Sequence, residues 1–493
     1  MSKVKNDMLL KELIQGTIKD IRIDSELANI NIKGLAYDSR DVKPGYIFFA
    51  RKGERINSHC FIEDAYKRGA VLFVLTEDID IPYPRIVVSD SRKLLAIISH
   101  RFYSEPSKKM KVIGITGTNG KSTVTIFLHS IYEACGNPCG LIGTIVNKIS
   151  TSLLPAERTT PESLDISRLM HQMIEKGVET VVMEVSSHGI AQSRIEEVDF
   201  DIAGLTCIGR DHLDFHRTFE AYVETKVSLF RILKENAIAV LPQGDYFDLF
   251  KFNTKAKVIS YGYTDGLDYR GNIISMGLNG MALQIDTPYG REKIHSRLTG
   301  RHNVSNILIA YAIAREDGLS PSGIIEGVES VDAIPGRFER IGNVIVDFAH
   351  TPDAMMAMLQ SAREFTNGNI ITVFGCGGDR DKGKRPLMGE IATKLSEYVF
   401  ITSDNPRTED PLSIIKGIED GIKIKNYEVV PDRKEAIEKA VNMAGKDDIV
   451  LVLGKGHETY NVVGDEKISF DDREVVRKVM REEGRGKREE SRA

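Results

Sequence analysis

GTNGKST, residues 117–123, sets a glycine turn, one lysine and two hydroxyls directly behind the apolar run KVIGITG. That combination suits a polyphosphate. The backbone N–H groups of Gly117, Thr118, Asn119 and Gly120 can wrap phosphate oxygens, and the dipole of a following helix adds attraction. Lys121 would reach the β- and γ-phosphates, and the hydroxyl of Ser122, beside Thr123, would serve Mg2+. The fit to G-x-x-x-x-G-K-[ST] is imperfect, because Ile115 stands at the first glycine position and Gly114 lies one residue early. A plain glycine turn is the alternative, but a GKS between a strand and a helix is uncommon in that role.

Four other stretches carry chemistry. MEVSSHGI, 183–190, ends an apolar run with Glu184, an acid placed either to hold Mg2+ or to cap a helix. GRDHLDFH, 209–216, gathers Asp211, His212, Asp214 and His216, without the cysteine pair or HExxH helix of a zinc site. Lys226 lies among the apolar residues of KVSLF, where a lysine ordinarily snorkels its ammonium to solvent. SDNPRTED, 403–410, follows YVFIT. Asn405-Pro406 stiffens it, and Asp404 and Arg407 flank that pair with opposite charges. It reads either as a turn or as a pocket for a small zwitterion.

The elements that must position these residues alternate strand and helix. Short β-like runs (GLAYDSR, GYIFFARKG, AVLFVLT, RIVVSD) and two helical patterns fill residues 1–103, and SEPSKKM, 104–110, reads as a linker. From KVIGITG onward, continuous apolar strands (ETVVMEV, FDIAGLTCI, AIAVLPQ, KVISYGY) alternate with helices, which predicts a parallel sheet covered on both faces. A β meander is expected over 267–298. In GRHNVSN, Asn303 or Asn306 is a candidate helix cap. After AIPGRFERIGN the pattern restarts with VIVDFA, IITVFG, YVFIT and DIVLVLG, a second doubly wound unit. The charged tail REEGRGKREESRA is expected to fray.

A chain of 493 residues suggests roughly three domains at about 150 residues each. Their expected bounds are 1–106, 107–334 and 335–493. Hydrophobic residues at 41% and charged residues at 28% make an ordinary soluble composition, and a net charge of −5 gives no case for nucleic acid. No apolar run reaches the length of a membrane span, and the N-terminus lacks a secretory h-region. Five scattered cysteines, Cys60, Cys135, Cys139, Cys207 and Cys376, argue for a reducing cytoplasm. Cys135-x3-Cys139 lacks the second ligand pair of a metal site.

GTNGKST, MEVSSHG, RDHLDFH, YVETKVSLF, GRHNVSN, PGRFE, DFAHTPD, GCGGDRDKGKRPLMG, DNPRTEDP and GKGHE occur in this order from 117 to 458. Together they resemble the Mur ligase family, in particular its tripeptide-forming branch. An N-terminal YDSR-x4-PG-x-IFFA matches that branch's uridine-binding domain, so the likeness covers almost the whole chain.

The resemblance implies an α/β fold of three domains: an N-terminal uridine-binding domain, a central P-loop sheet with an added meander, and a C-terminal Rossmann-like domain. It implies ATP-driven amide-bond synthesis in the cytoplasm by a monomer acting on small molecules, with no nucleic-acid or membrane partner. The γ-phosphate goes to a carboxylate of UDP-MurNAc-L-Ala-D-Glu, an acyl phosphate forms, and the amine of meso-diaminopimelate displaces phosphate. Two Mg2+ ions are implied, held by Ser122, Glu184 and His212, with Lys226 as a CO2-derived carbamate that turns a cation into an oxygen ligand. Partial burial favours the neutral amine this requires. Besides the P-loop, Asn303, Arg337 and Asp347 match positions that contact ATP, with His350 beside them. Ser39 matches the uridine pocket, and Thr159, Thr160, Ser186, Gln192 and Arg194 match positions that hold pyrophosphate, sugar and peptide. Arg380, Asp404, Asn405, Pro406, Arg407, Gly454 and Glu458 match the amino-acid pocket. There Arg407 would pair with a distal carboxylate, and Asp404 and Glu458 would suit an ammonium.

The chain departs from the family pattern at three places. Cys207 replaces an asparagine, Phe348 a tyrosine, and Arg158 an asparagine before the threonine pair. These spare the core chemistry but touch the acceptor side. They leave room for a relative of the archaeal pseudomurein peptide ligases or for a lysine-adding enzyme, although Arg407 favours meso-diaminopimelate. A nucleotide-switched binding protein using the same P-loop is a different class, and it would need neither the acid–His–Lys set nor the C-terminal pocket.

Overall fold

The computed structural model describes residues 7–16, 25–51 and 57–490. Three sheets of four or more strands follow one another along the described residues. The first is all parallel, with strands Gly34–Ala36, Tyr46–Phe49, Ala70–Leu75 and Arg85–Val87 in that order. Alternate side chains of one strand pack on opposite faces. Ile47 and Phe49 join one core and Phe48 the other, so the run reads as continuously apolar. Residues 52 and 53 of the expected GYIFFARKG strand lie outside the described residues.

The central sheet has eleven strands. Lys111–Thr116 lies at its middle, between Thr180–Glu184 and Ile202–Leu205, and runs parallel to both. Register pairs Glu184 with Ile115 and Leu205 with Thr116, so the loops that follow all three strands emerge side by side. This is where parallel sheets place ligands. Helices Lys121–Ala134 and Arg301–Glu316 cover one face through Val124, Phe127, Leu128, Ile307 and Leu308. Ser163–Glu175 and Phe219–Arg231 cover the other through Ile166, Met170, Tyr222 and Phe230. The meander expected over 267–298 is Tyr269–Gly277, Gly280–Thr287 and Gly290–Ser296, which extends the same sheet with antiparallel pairs.

In the third sheet the order is Glu339–Ile341, Val344–Asp347, Ile449–Leu453, Ile370–Phe374, Tyr398–Ile401 and Tyr427–Val429. Only the first pair is antiparallel. Helix starts follow from local chemistry. Thr351 and Asp410 each cap a helix that begins with proline, at Pro352 and Pro411, where the missing N–H costs nothing. A hairpin, Tyr460–Val463 with Glu466–Ser469, stands apart from the main sheets.

Several expectations need correcting. The segment 104–110 is no open linker. Pro106–Lys108 forms a 3-10 turn, Pro106 and Ser107 are buried, and the Ser107 hydroxyl lies 2.8 Å from His100 Nε2 and accepts from the Asp199 N–H at 3.0 Å. Neither Asn303 nor Asn306 caps its helix. Gly300 holds the cap position, and the Asn303 amide turns back to the Thr299 carbonyl at 2.8 Å. The charged tail continues a helix, Asp472–Glu490, as its Glu, Lys and Arg content allows; residues 491–493 lie outside the described residues. Glu184 ends a strand and caps no helix.

Candidate active site

One cleft lies between the carboxyl ends of the central and third sheets. Its central-sheet wall includes Thr118, Asn119, Gly120, Lys121, Ser122, Thr159, Glu184, Ser186 and His212. Its third-unit wall includes Arg380, Asp404, Asn405, Arg407, Gly454 and Glu458, and Arg337 stands between the two walls.

The P-loop leaves Thr116 at Gly117 (φ 141°) and enters its helix at Gly120 (φ 87°), both in the region that favours glycine. A β-carbon at Gly117 would fall 1.9 Å from the Thr206 hydroxyl, so the strand exit tolerates no side chain. Lys121 Nζ donates to the carbonyls of Gly117 (2.8 Å) and Thr118 (2.9 Å), and burial pushes its pKa down. The Ser122 hydroxyl donates to Glu184 Oε2 at 3.0 Å, and Thr144 supplies its backbone N–H (2.7 Å) and hydroxyl (2.9 Å) to the same carboxylate. A 2% exposed carboxylate beside hydroxyl oxygens is the all-oxygen donor set that a hard cation such as Mg2+ prefers, so these residues fit the metal. Arg337 Nη2 reaches Ser122 Oγ at 3.3 Å.

Lys226 does not snorkel. It is 1% exposed, because helix Phe219–Arg231 is clamped under the P-loop, and its Nζ donates to the Gly117 carbonyl at 2.9 Å. Burial, reinforced by Lys121, holds its pKa well below that of a free lysine, which fits the neutral amine a carbamate requires. His212 Nε2 lies 3.3 Å from Asp211 Oδ2. Burial lowers the His212 pKa to about 4, against the opposing pull of Asp211. Burial opposes ionisation of Asp211, but His212, His350, Lys384 and Lys121 hold it below the usual carboxylate range.

A second cleft continues from the P-loop and is lined in part by Asn119, Thr123, Cys207, Asn303, Arg337 and Asp347. Asp347 accepts the N–H groups of Phe338 (2.7 Å) and Ala349 (2.8 Å). Burial raises its pKa, with Arg337 opposing. Cys207 Sγ lies 3.7 Å from the Asn119 carbonyl, and the Arg337 guanidinium sits 4.5 Å from the Phe348 ring centre. His350 lines the first cleft, its Nδ1 2.8 Å from the Phe348 carbonyl.

Toward the first sheet, Thr160 accepts the Ser186 N–H at 2.9 Å and donates to the Glu184 carbonyl. Arg194 donates to the Thr160 carbonyl (2.7 Å) and to Gln192 (2.6 Å). Behind them Glu162, 2% exposed, meets four guanidinium groups. Arg51 (2.7 Å) and Arg92 (3.4 Å) come from the first unit, and Arg194 (3.4 Å) and Arg158 from the central one. Burial pushes the Glu162 pKa up, but the four arginines outweigh it and leave it lowered. The charge that Arg158 adds is thus paired with Glu162. Ser39 is buried in the first unit and does not line either cleft.

In the third unit Asp404 and Asn405 are buried. A β-carbon at Gly454 (φ 116°) would fall 2.3 Å from Asp404 Oδ2, so only glycine passes there. Asn405 Nδ2 donates to Glu458 Oε2 at 2.7 Å, and Arg407 Nη1 donates to the Gly378 carbonyl at 2.8 Å. Pro406 follows Asn405 within this loop. Arg380 lines the cleft with its guanidinium on the Asp379 carbonyl, 3.1 Å away.

Sequence reading passed over Thr144, Asp381, Lys384 and Lys455. Thr144 follows the strand Cys139–Ile142 as Glu184 ends its own, a position-by-position signal that LIGT carried. Lys384 Nζ donates to the His350 carbonyl at 2.8 Å.

Fold and cleft together define an ATP-dependent ligase that joins an acid to an amino acid. Three family descriptions match in chain order: "Mur ligase family, catalytic domain" over residues 31–103, "Mur ligase middle domain" over 115–314, and "Mur ligase, glutamate ligase domain" over 336–456. The chain is 41% identical over 485 residues to the UDP-N-acetylmuramoyl-L-alanyl-D-glutamate–2,6-diaminopimelate ligase of Caldanaerobacter subterraneus subsp. tengcongensis, covering 96% of this chain and 99% of that protein. It is 42% identical over 468 residues to the enzyme of that name from Geobacillus thermodenitrificans, covering 92% and 96%. A solved structure of a ligase of the same name superposes with a TM-score of 0.68 at 30% identity, covering 97% of this chain and 99% of that one. The chain belongs to the Mur ligase family.

Proposed function

We propose that this protein adds meso-diaminopimelate to UDP-N-acetylmuramoyl-L-alanyl-D-glutamate with hydrolysis of ATP, acting as a cytoplasmic monomer. The observation that carries the reading is the shared cleft, which sets the P-loop and Glu184 opposite a pocket of two arginines and two carboxylates. Its three sheets serve as three domains, over 1–106, 107–334 and 335–493. The relatives' printed names supply the substrates.

Each substrate would meet the groups its charge calls for. The polyphosphate lies on the N–H groups of residues 117–123, with Lys121 turning from its two loop carbonyls to the phosphate oxygens. Asn303, Arg337 and Asp347 line the space for the rest of ATP. Ser122, Glu184 and His212, with Lys226 as a carbamate, would hold Mg2+, which supplies charge neutralisation where phosphate and carboxylate meet. Thr159, Thr160, Ser186, Gln192 and Arg194 hold the acceptor, with Ser39 at its uridine end. Attack of the acceptor carboxylate on the γ-phosphorus releases ADP and leaves an acyl phosphate. Arg407 and Arg380 bind the carboxylates of the incoming amino acid, and Asp404 and Glu458 bind an ammonium. The free amine attacks the acyl carbon, phosphate leaves, and a proton is lost. Closure of the third unit excludes water from the acyl phosphate.

ADP release with UDP-N-acetylmuramoyl-L-alanyl-D-glutamate and each candidate amino acid tests this. Turnover that requires meso-diaminopimelate is the expected result. Stimulation by lysine alone overturns the specificity, a requirement for a UDP-glutamyl peptide overturns the acceptor, and ATP turnover indifferent to both sinks the ligation.

A further inference from the structure

Lys455 lies beneath the amino-acid pocket with its side chain fully buried. Its Nζ donates to three oxygens: the Tyr460 carbonyl at 2.5 Å, Glu458 Oε2 at 3.3 Å and Asn405 Oδ1 at 3.4 Å. A buried ammonium persists only where such partners compensate its lost hydration. The orientation of Asn405 follows from the same network. Its Oδ1 accepts the Val462 N–H at 2.8 Å, so its Nδ2 faces Glu458.

The hairpin that begins at Tyr460 also grips the neighbouring loop through backbone. The Arg407 N–H donates to the Val462 carbonyl at 3.0 Å, and the Arg407 carbonyl accepts from Gly464 at 2.7 Å. Asn405 (φ 43°) and Arg407 (φ 52°) both sit in left-handed backbone without being glycine. Such conformations persist where surrounding structure fixes them. Here the fixing groups are the hairpin and, through Asn405 and Tyr460, Lys455.

We infer that Lys455 is a positioning residue for the incoming amino acid, tying the Asn405–Glu458 pair and the Tyr460–Ser469 hairpin to the Asp404–Arg407 loop. This rests on the function proposed above. Its charge matters as well as its reach. Asp404 and Arg407 of the loop, Arg337 from the seam and Arg433 from helix Arg433–Met443 also act on or with Glu458. Burial and Asp404 raise the Glu458 pKa, and Lys455 and the Asn405 amide pull it back. Without Lys455 two carboxylates share one dry pocket with less to neutralise them.

The test is steady-state kinetics of the full chain carrying Lys455→Met, with each substrate varied in turn across pH. KM for meso-diaminopimelate should rise about 10- to 100-fold, the scale of a lost charge-assisted hydrogen bond. KM for ATP and for the UDP-linked acceptor should stay near wild type, and the acidic limb of kcat/KM for the amino acid should move to higher pH. In a Glu458→Gln background the limb should no longer move. Val462→Pro, which withdraws the N–H from Asn405 and leaves every charge in place, should also raise the amino-acid KM. It stands as the second probe if Lys455→Met does not fold. A common rise in all three KM values or an unchanged amino-acid KM in Lys455→Met, or in Val462→Pro where Lys455→Met does not fold, overturns the role of Lys455. A wild-type enzyme that ignores meso-diaminopimelate overturns the functional reading itself.

Discussion

Lys226 Nζ donates to the Gly117 carbonyl at 2.9 Å, so a helix residue 109 positions downstream props the first glycine of the phosphate loop from below. The two meet because Lys111–Thr116 and Ile202–Leu205 are sheet neighbours, and helix Phe219–Arg231 packs under the loops that follow them.

Lys226→Ala should therefore lower kcat by about 100-fold or more, the scale of losing one preorganised charge-stabilising group. Added short carboxylates should restore part of the rate in an ADP-release assay. Full activity without them would refute the carbamate.

Glu184→Gln keeps the shape and an oxygen for the Ser122 and Thr144 hydroxyls, but it removes the charge and turns an amide NH2 toward the Thr144 N–H. Its Mg2+ titration should need higher metal for half-maximal rate, with a saturating rate about 100-fold below wild type. A Mg2+ curve superimposable on wild type would remove Glu184 from the metal set.

Arg407→Lys exchanges a planar fork for a point charge. The preference for meso-diaminopimelate over lysine, measured as a ratio of kcat/KM, should fall about tenfold or more, because bidentate pairing with the distal carboxylate is lost. An unchanged ratio would place the recognition of that carboxylate elsewhere, with Arg380 the next residue to vary.

His100 is 3% exposed, and burial lowers its pKa from 6.5 to about 4. The unfolded chain binds this proton first as pH falls, so the contribution is whole above the unfolded value and declines from there toward pH 4. The loss should reach about 2 kcal/mol by pH 5. Urea midpoints of wild type and His100→Gln should show the decline in wild type and a shallower one in the variant.

The strands and the P-loop were legible because their signals are local: an apolar run, a glycine turn, a helix. The pairing of Glu184 with Ser122 was legible in kind, since both end up at the carboxyl edge of one sheet. Lys226 was misread from composition alone. A lysine amid apolar residues snorkels only if solvent is near, and here the P-loop lies over it. Glu162 stood unremarked in TTPE because its four partners come from positions 51, 92, 158 and 194, which nothing in the linear pattern joins. The Tyr460–Ser469 hairpin went unread although GDE marks its turn, because its strands are short, one partly buried and the other exposed throughout.

The Glu162 knot also sets the two seams of the molecule apart. Opening the seam between the first and second units would take Arg51 and Arg92, 11% and 26% exposed, away from Glu162 and leave it with Arg158 and Arg194 of its own unit. Across the other seam, Arg210 meets Asp381 and Arg301 meets Glu364 with the arginines 43% and 68% exposed, where water readily replaces either partner. By their ion pairs the first two units resemble a bench, and the third a vice jaw set against it. In the function proposed above, the UDP-linked acceptor would lie along the bench and the small amino acid would meet the jaw.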